Sequence, residues 1–344
     1  MTKDGVRATR EDVARQAGVS VTIVSYVINN NRYVDKEKRA RVLRAIEDLH
    51  YRPNNIARAL KGKPSNHILF IVDTPANERL SVLLGYMDQY AYQKGSMISL
   101  CATRNEPNFV RQIISRQFDG IIISSTSLLD QYIQEFVDAG IPTVLLLTRE
   151  YHNVKGAATV GTGLYHGARA CVRYFYQQGR RHIVYIDRAS MRSHFSNVVE
   201  DNRLRGFATQ MTELGLPWES QVITGCKTAE EVQQKLAQFI QTHPVDAILG
   251  RNDRMACIAM QQVLRMGLRV PEDVGVIGFD DSSISRYVTP QLTSMQMPDQ
   301  ELAQTAIDLL DSLRRGDAPP ENLRFEARMI VRSSTQLPPS APQQ

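Results

Sequence analysis

No apolar run in the sequence reaches the roughly 18–20 residues that a membrane-spanning helix needs, so no membrane partner is expected. Cys101, Cys171, Cys226 and Cys257 stand far apart with no Cys-x-x-Cys spacing. They read as reduced core thiols of a cytosolic protein. The seven histidines form no zinc-like pattern, and no metal site is expected. Catalytic signatures are missing too. Gly161-x-Gly-x-x-x-Gly167 fails the dinucleotide spacing, Gly62-Lys63 lacks the preceding glycine of a phosphate loop, and no Gly-x-Ser-x-Gly elbow occurs. Neither a catalytic residue nor a cofactor is expected. The polar start, Met-Thr-Lys-Asp-Gly, carries no apolar signal segment, which points to the cytoplasm.

What is present is unevenly charged. Residues 1–63 hold 14 Lys+Arg against 7 Asp+Glu, a net of +7. The remainder holds 41 − 14 = 27 basic and 36 − 7 = 29 acidic residues, a net of −2. The overall +5 therefore hides a cationic head on a nearly neutral body. Phosphate backbones attract such a head through Coulomb interaction and counterion release. Charge alone does not separate that role from a solvated basic surface.

The head has a pattern as well as a charge. Thr9 is placed to cap a helix whose Val13, Ala14 and Ala17 line one face. Gly18 can take the left-handed conformation of a tight turn. Ser20 then caps a second helix that packs through Val24, Val27 and Ile28, leaving Val21, Thr22, Ser25, Tyr26 and Asn29 outside. Asp35 caps a third helix with Val42, Ile46 and Leu49 at helical spacing. This is a helix-turn-helix, compact enough to lay one helix in a DNA major groove. After Pro53, Asn54-Asn55 can cap a short helix with Ile56, Ala57, Ala59 and Leu60 on its apolar side. A helix that short is marginal by itself. An exposed Leu60 beside Arg58 and Lys61 suits a wedge between base steps, the alternative being a flexible linker.

From Ile68 the chain alternates short apolar runs with amphipathic stretches. Ile68–Val72, Met97–Leu100, Gly120–Ile123, Val144–Leu147, Ile183–Ile186, Ala247–Leu249 and Val274–Phe279 read as buried parallel strands. Ser81–Lys94, Leu128–Ala139, Tyr165–Gln178, Glu230–Gln241 and Arg254–Met266 read as helices, four of them followed by Gly95, Gly140, Gly179 and Gly267 as C-cap glycines. The reading is α/β with helices on both sheet faces, and the number of strands favours two subdomains. Such folds bind ligands beyond the carboxyl ends of their strands. Arg203, Asn252 and Asp280 can converge there on hydroxyls or a purine edge. Spacing leaves open the plainer roles of helix cap and surface ion pair.

Asp12-Val-Ala-Arg-Gln-Ala-Gly-Val-Ser20, Val24-Ser25, Val27-Ile28-Asn29 and Tyr51-x-Pro-Asn-x-x-Ala-Arg-x-Leu60 together resemble the lactose-repressor/galactose-repressor (LacI/GalR) family of bacterial transcription regulators, over almost the whole length. The resemblance implies a helix-turn-helix head and hinge helix, then an α/β body of periplasmic-binding-protein type with two doubly wound parallel-sheet subdomains. It implies a head over 7–53, a hinge over 54–65 and a body over 66–336, followed by a disordered tail over 337–344. Subdomain one would take about 66–162 plus 294–324, and subdomain two about 163–293 plus 325–336.

By similarity, Val21, Thr22 and Tyr26 read bases, Ser20, Ser25 and Asn29 touch phosphates, and Arg58 and Leu60 enter the minor groove. Ile23 stands where Thr is usual, and Tyr26 where Arg or His is familiar. Arg203, Asn252 and Asp280 match effector contacts. Thr148 stands where Asp is frequent, Lys227 where an aromatic often stacks, and Gly161-Thr-Gly163 lacks the usual Asp-Asn. Lys227 is expected to favour an anionic effector, a sugar phosphate or sugar acid, over a plain sugar. The implied partners are palindromic double-stranded operator DNA, a small-molecule effector and a second copy of the chain. The Pro-rich end, Gln336 to Gln344, has no leucine heptads, so a dimer rather than a tetramer is expected. The rival reading is a transport-type sugar-binding protein that does not bind DNA.

Overall fold

The structure, a computed structural model, describes residues 8–52, 64–190, 201–320 and 323–336. They form two compact units, one up to Ser65 and one from Asn66.

The first unit is three helices: α1 Arg10–Ala17, α2 Val21–Asn29 and α3 Lys36–Asp48. Thr9 opens α1 with a reciprocal cap, its hydroxyl accepting from the Asp12 N–H while the Asp12 carboxylate accepts from the Thr9 N–H. Gly18 ends α1 at φ +63. Ser20 accepts from the Ile23 N–H, and Asp35 from the Glu37 and Lys38 N–H groups. Val13, Ala14, Ala17, Val24, Val27, Val42, Ala45 and Tyr51 make a small buried core. Tyr51 was not anticipated as a core residue. The expected hinge, with Arg58 and Leu60, and the tail over 337–344 lie outside the described residues, apart from Pro64 and Ser65.

The second unit holds two sheets. The first contains β1 His67–Val72, β2 Met97–Ala102, β3 Gly120–Ser124, β4 Thr143–Leu147, β5 Ala158–Gly161 and β11 Leu323–Arg324. Its order is β11-β5-β4-β3-β1-β2 and every pairing is parallel. The second contains β6 Ile183–Ile186, β7 Val222–Ile223, β8 Ala247–Gly250, β9 Gly275–Phe279, β10 Thr293–Gln296 and β12 Arg328–Ile330. Its order is β12-β10-β9-β8-β6-β7, with β12 antiparallel and the rest parallel.

Each sheet is covered on both faces, which is why its central strands, such as β1, β3, β4, β6 and β8, are continuous apolar runs rather than alternating. Helices α4 Glu78–Gln93 and α12 Asp299–Arg314 pack one face of the first sheet, α5 Pro107–Ser115 and α6 Asp130–Asp138 the other. On the second sheet, α7 Leu164–Gln177 and α8 Asn202–Glu213 pack one face, α9 Ala229–Thr242 and α10 Asp253–Arg265 the other. A single helical turn, α11 Ile284–Tyr287, follows β9.

The chain passes between the two lobes three times: after β5, after β10 and between β11 and β12. One expected boundary moves. Ser294–Gln296 was assigned to the first subdomain, but β10 pairs with β9 and β12 in the second sheet. Its polar sequence conceals this. Thr293 and Ser294 are fully buried because their hydroxyls bond within that lobe, Thr293 to the Arg332 carbonyl and Ser294 to Asp253.

Candidate functional site

Two regions carry chemistry, one in each unit. In the head, Val21 and Thr22 are exposed on α2, and Tyr26 and Ser25 are half-buried on its flank. The three positions expected to touch phosphates already hold bonds. Ser20 is the cap of α2, Ser25 Oγ accepts from Arg10 Nη1 at 3.4 Å, and Asn29 Nδ2 donates to the Ser25 carbonyl at 2.8 Å. Both serine hydroxyls accept in these bonds, so each keeps its own proton to donate. Arg10, which also reaches the Tyr51 hydroxyl at 3.3 Å, stands beside Ser25 and was not singled out from sequence. Its place at the first residue of α1 gave no signal for that.

In the body, the carboxyl ends of six strands open on a cavity of about 390 Å³. Asp73 follows β1, Ser124 ends β3 with Thr126 just beyond, and Thr148 follows β4. Across from them, Arg188 lies just past β6, Arg251 past β8 and Asp280 past β9. The amino ends of α4 and α10 add Asn77, Glu78 and Arg79, and Asn252, Asp253 and Arg254. A helix amino end directs backbone N–H groups and a partial positive charge at whatever lies before it.

The lobe-two wall is an ion cluster around Asp201. That carboxylate is 1% exposed and accepts from Arg251 Nε at 3.0 Å and Nη2 at 2.6 Å, and from Arg188 Nη2 at 3.2 Å. It also caps α8 by accepting from the Arg203 N–H at 2.9 Å. Burial alone would raise its pKa. The Arg251, Arg203 and Arg188 guanidiniums outweigh burial and hold it well below the usual carboxylate range. Asp187 adds a second carboxylate, 3.5 Å from Arg188 and 3.7 Å from Arg251.

Asp280 sits between cations of both lobes, 3.2 Å from Arg203 Nη2 and 4.0 Å from Arg79 Nε. Arg79 is pinned from behind by Asp299 at 2.8 Å. The Asp280 backbone is at φ 100, a conformation that non-glycine residues rarely hold. Asp281 beside it is structural, paired with Arg332 at 2.6 Å and Arg286 at 3.1 Å.

On the other wall, Asp73 accepts from the hydroxyls of Ser125, Thr126 and Ser127 and from the Thr126 N–H. Burial pushes its carboxyl up, but those donors bring it below its ordinary value. Several contacts among the described residues tie the lobes together. Arg188 Nη1 donates to Thr126 Oγ1 at 3.0 Å, the Asn202 N–H to the Thr148 carbonyl at 2.9 Å, and the Ser283 N–H to Glu78 Oε1 at 2.8 Å.

Thr148, Arg203, Asn252 and Asp280 therefore line one cavity. Thr148 gives its hydroxyl proton to the Ser125 carbonyl at 3.0 Å. Asn252 Oδ1 caps α10 by accepting from the Met255 N–H at 3.0 Å, so the amide nitrogen is what it can offer a ligand. Lys227 is a correction. Among the described residues it is not part of the lining. It lies exposed in the loop before α9, its N–H held by Glu231 at 2.8 Å and its neighbour Thr228 capping the helix. The expectation of an anionic effector loses its basis there.

The sequence reading also passed over Arg79, Arg188, Asp201 and Arg251. Arg188 and Arg251 had a readable signal, a charged residue one or two positions past a buried apolar run. Arg79 had none, because only the fold brings it to Asp280 and Asp299.

No helix among the described residues is long and apolar enough to cross a membrane. Comparison with known proteins agrees with both units. Residues 9–54 match the family model described as bacterial regulatory proteins, lacI family, and residues 172–335 the periplasmic binding protein-like domain. The HTH-type transcriptional repressor PurR of Vibrio vulnificus (strain CMCP6) is 29% identical over 314 residues, covering 88% of this chain and 91% of that one. Its namesake in Vibrio parahaemolyticus is 28% identical over 338 residues, covering 95% and 98%. Among solved structures, the lac repressor dimer bound to operator and the anti-inducer ONPF superposes with a TM-score of 0.82 at 26% identity, over 96% of this chain and 100% of that one. The regulator CelR in complex with cellobiose shares the fold, with a TM-score of 0.68 at 24% identity over 95% and 100%. With a lacI-type head joined to a two-lobed binding body, the chain belongs to the LacI/GalR family of transcription regulators, DNA-binding proteins controlled by a small-molecule effector.

Proposed function

We propose that the chain is a cytoplasmic repressor, not an enzyme, that acts as a homodimer on a palindromic operator. In this reading α2 lies in the major groove, with Val21, Thr22 and Tyr26 at base edges and Ser20, Ser25, Asn29 and Arg10 at phosphates. Arg58 and Leu60 enter the minor groove at the operator centre. The effector is a small polar ligand rich in hydroxyl, carboxylate or phosphate groups: a sugar, sugar phosphate or sugar acid. It is held by Arg203, Asn252, Asp280 and Thr148, with Arg188 and Arg251 beside them. The cavity volume of about 390 Å³ suits a ligand of that size.

One observation carries the reading. A helix-turn-helix head and a strand-end cavity closed by two lobes occur in one chain. The transport-type alternative uses the cavity but leaves the head without a role. The test is a mobility shift on fragments of the source genome at low and moderate salt, with and without candidate ligands. Thermal shifts with the same sugars, phosphates and acids identify the effector. Sequence-selective retardation that one ligand strengthens or abolishes is expected. Retardation of every fragment alike, unmoved by any ligand that raises the melting temperature, would overturn the reading.

A further inference from the structure

Helix α2 ends at Asn29, and the turn that follows is built to a fixed shape. Asn30 caps the helix in the left-handed conformation, φ 47 and ψ 35. Its side-chain oxygen accepts from Arg39 Nη2 at 2.8 Å, which ties the turn to α3. The turn folds Arg32 back over the helix it has just left, so that its guanidinium carbon lies 5.2 Å from the centroid of the Tyr26 ring. That distance is within range of a cation–π contact. Tyr26 is half-buried beside the buried Val24 and Val27, whereas Arg32 is exposed and the next residue, Tyr33, is 90% exposed. Arg32 therefore contributes nothing to the head's core, and its only described contact is with the ring of a residue on the outer flank of α2.

We propose that Arg32 is a specificity-determining residue that reads one base step jointly with Tyr26, and that this step contains guanine. The inference rests on the reading of α2 as the groove helix. The physical reason is the pairing of two stiff groups. A phenol by itself has rotational freedom about its side chain and offers one O–H that donates or accepts. A guanidinium laid on its face restricts the ring and adds a planar fork of donors beside the same hydroxyl. In the major groove, guanine presents two acceptors, N7 and O6, which match a donor fork better than the mixed edge of adenine or the donor edge of cytosine.

The experiment uses the full chain and a library of randomised duplexes, selected by binding at fixed salt and sequenced. Salt titrations of the mobility shift are run in parallel. The variants are Tyr26→Ala, Arg32→Ala, Arg32→Lys and the double variant Tyr26→Ala/Arg32→Ala, with Val21→Ala and Thr22→Ala beside them. The parent is expected to prefer guanine at one position of each half-site. Arg32→Ala and Tyr26→Ala should each relax that position by about tenfold, and the double variant should relax it no further. Arg32→Lys should keep the salt dependence but not the preference, because an ammonium is a point charge without a planar fork. Non-specific binding at low salt shows that each variant is folded.

The proposal fails if Arg32→Ala weakens all sequences alike and flattens the salt slope by about one, the signature of a phosphate contact only. It also fails if the two single variants relax different positions, or if Arg32→Lys retains the preference. It fails too if Tyr26→Ala leaves every base preference intact; should Val21→Ala and Thr22→Ala also leave every preference intact, the reading of α2 itself falls, a result distinct from the failure of Arg32 alone.

Discussion

Replacing Asp253 by Asn should abolish the pH dependence that this residue gives the body. Asp253 is the first residue of α10, buried, and accepts from Ser294 Oγ at 2.5 Å, Ser282 Oγ at 2.7 Å and the Ser282 N–H at 2.6 Å. Burial pushes its carboxyl up to about 7, and the charge of Asp280 acts in the same direction, against the bonds from the two serines. In the unfolded chain the group titrates near 3.8. Between these two values the folded state keeps a proton that the unfolded state has lost. Stability therefore falls as pH rises through that window and levels off above the folded pKa. A separation of roughly three units corresponds to about 4 kcal/mol as an upper bound.

Asp201 and Asp73, whose pKa values are lowered, act with the opposite sign, because their contribution is lost as pH falls through the folded pKa. The curve of the parent alone mixes both effects. The difference between parent and Asp253→Asn isolates one of them, since the amide cannot ionise. Urea unfolding followed by the fluorescence of Trp218 suits the measurement: it is the single tryptophan and packs against the core of the same lobe. At about pH 4.5 the variant should be no more stable than the parent, having exchanged an acceptor for a donor, and by about pH 7.5 it should lead by roughly 2–4 kcal/mol. A difference that stays flat across that range, or that favours the parent increasingly as pH rises, refutes the assignment of a raised pKa.

Three further substitutions test other parts of the structure. Arg251→Met removes the two bonds at 3.0 and 2.6 Å from a buried carboxylate, and thermal unfolding should show a loss of about 3–5 kcal/mol that adding Asp201→Asn partly restores. Gly206→Ala places a methyl carbon 2.3 Å from the Tyr165 carbonyl oxygen, so α7 and α8 must part; a loss of at least about 1–3 kcal/mol is expected by denaturant unfolding. In the head, Gly18→Ala meets nothing closer than Arg41 at 3.7 Å, and its effect is the strain of φ +63 alone, about 1 kcal/mol, with Gly18→Asn milder by the same melting assay.

How much of this was legible depended on whether a residue's role was local. Strands buried on both faces are continuous apolar runs, so β1, β3, β4, β6 and β9 could be found within a residue or so of their ends. The glycines at 95, 140, 179 and 267 have φ between 74 and 85 because a helix end needs that conformation, whatever surrounds it. The short strands β5, β7, β10, β11 and β12 were not singled out. β7, β11 and β12 have only two or three residues, β5 is Ala-Thr-Val-Gly with little apolar bulk, and β10 has three polar residues in four because its hydroxyls are satisfied by distant partners such as Asp253 and Thr335. The same divide runs through the site. Asp280 and Asn252 follow strand ends and could be read; Arg79 depends on two carboxylates some two hundred residues away; Lys227 follows the short β7, whose path put it on the surface instead.

The geometry of the crossings explains why the cavity can act as a switch. Each wall is rigid by itself: Asp73 is clamped by four donors on one side, Asp201 by three arginines on the other. Between the walls the chain runs through three connections. They pack closely at Gly163, where a methyl carbon would come within 2.6 Å of the Ala327 N–H nitrogen. Lobes joined in this way can rotate against each other without either core repacking. Part of what opposes rotation is a set of polar contacts at the cavity's own rim, among them Glu78 with Ser283, Arg188 with Thr126, and Asp280 shared by Arg79 and Arg203; Arg205 with Glu150 adds a contact away from it. A ligand entering the cavity must replace or reinforce the contacts at the rim. Its affinity therefore differs between the two arrangements, and that difference sets how far it can shift the balance between them.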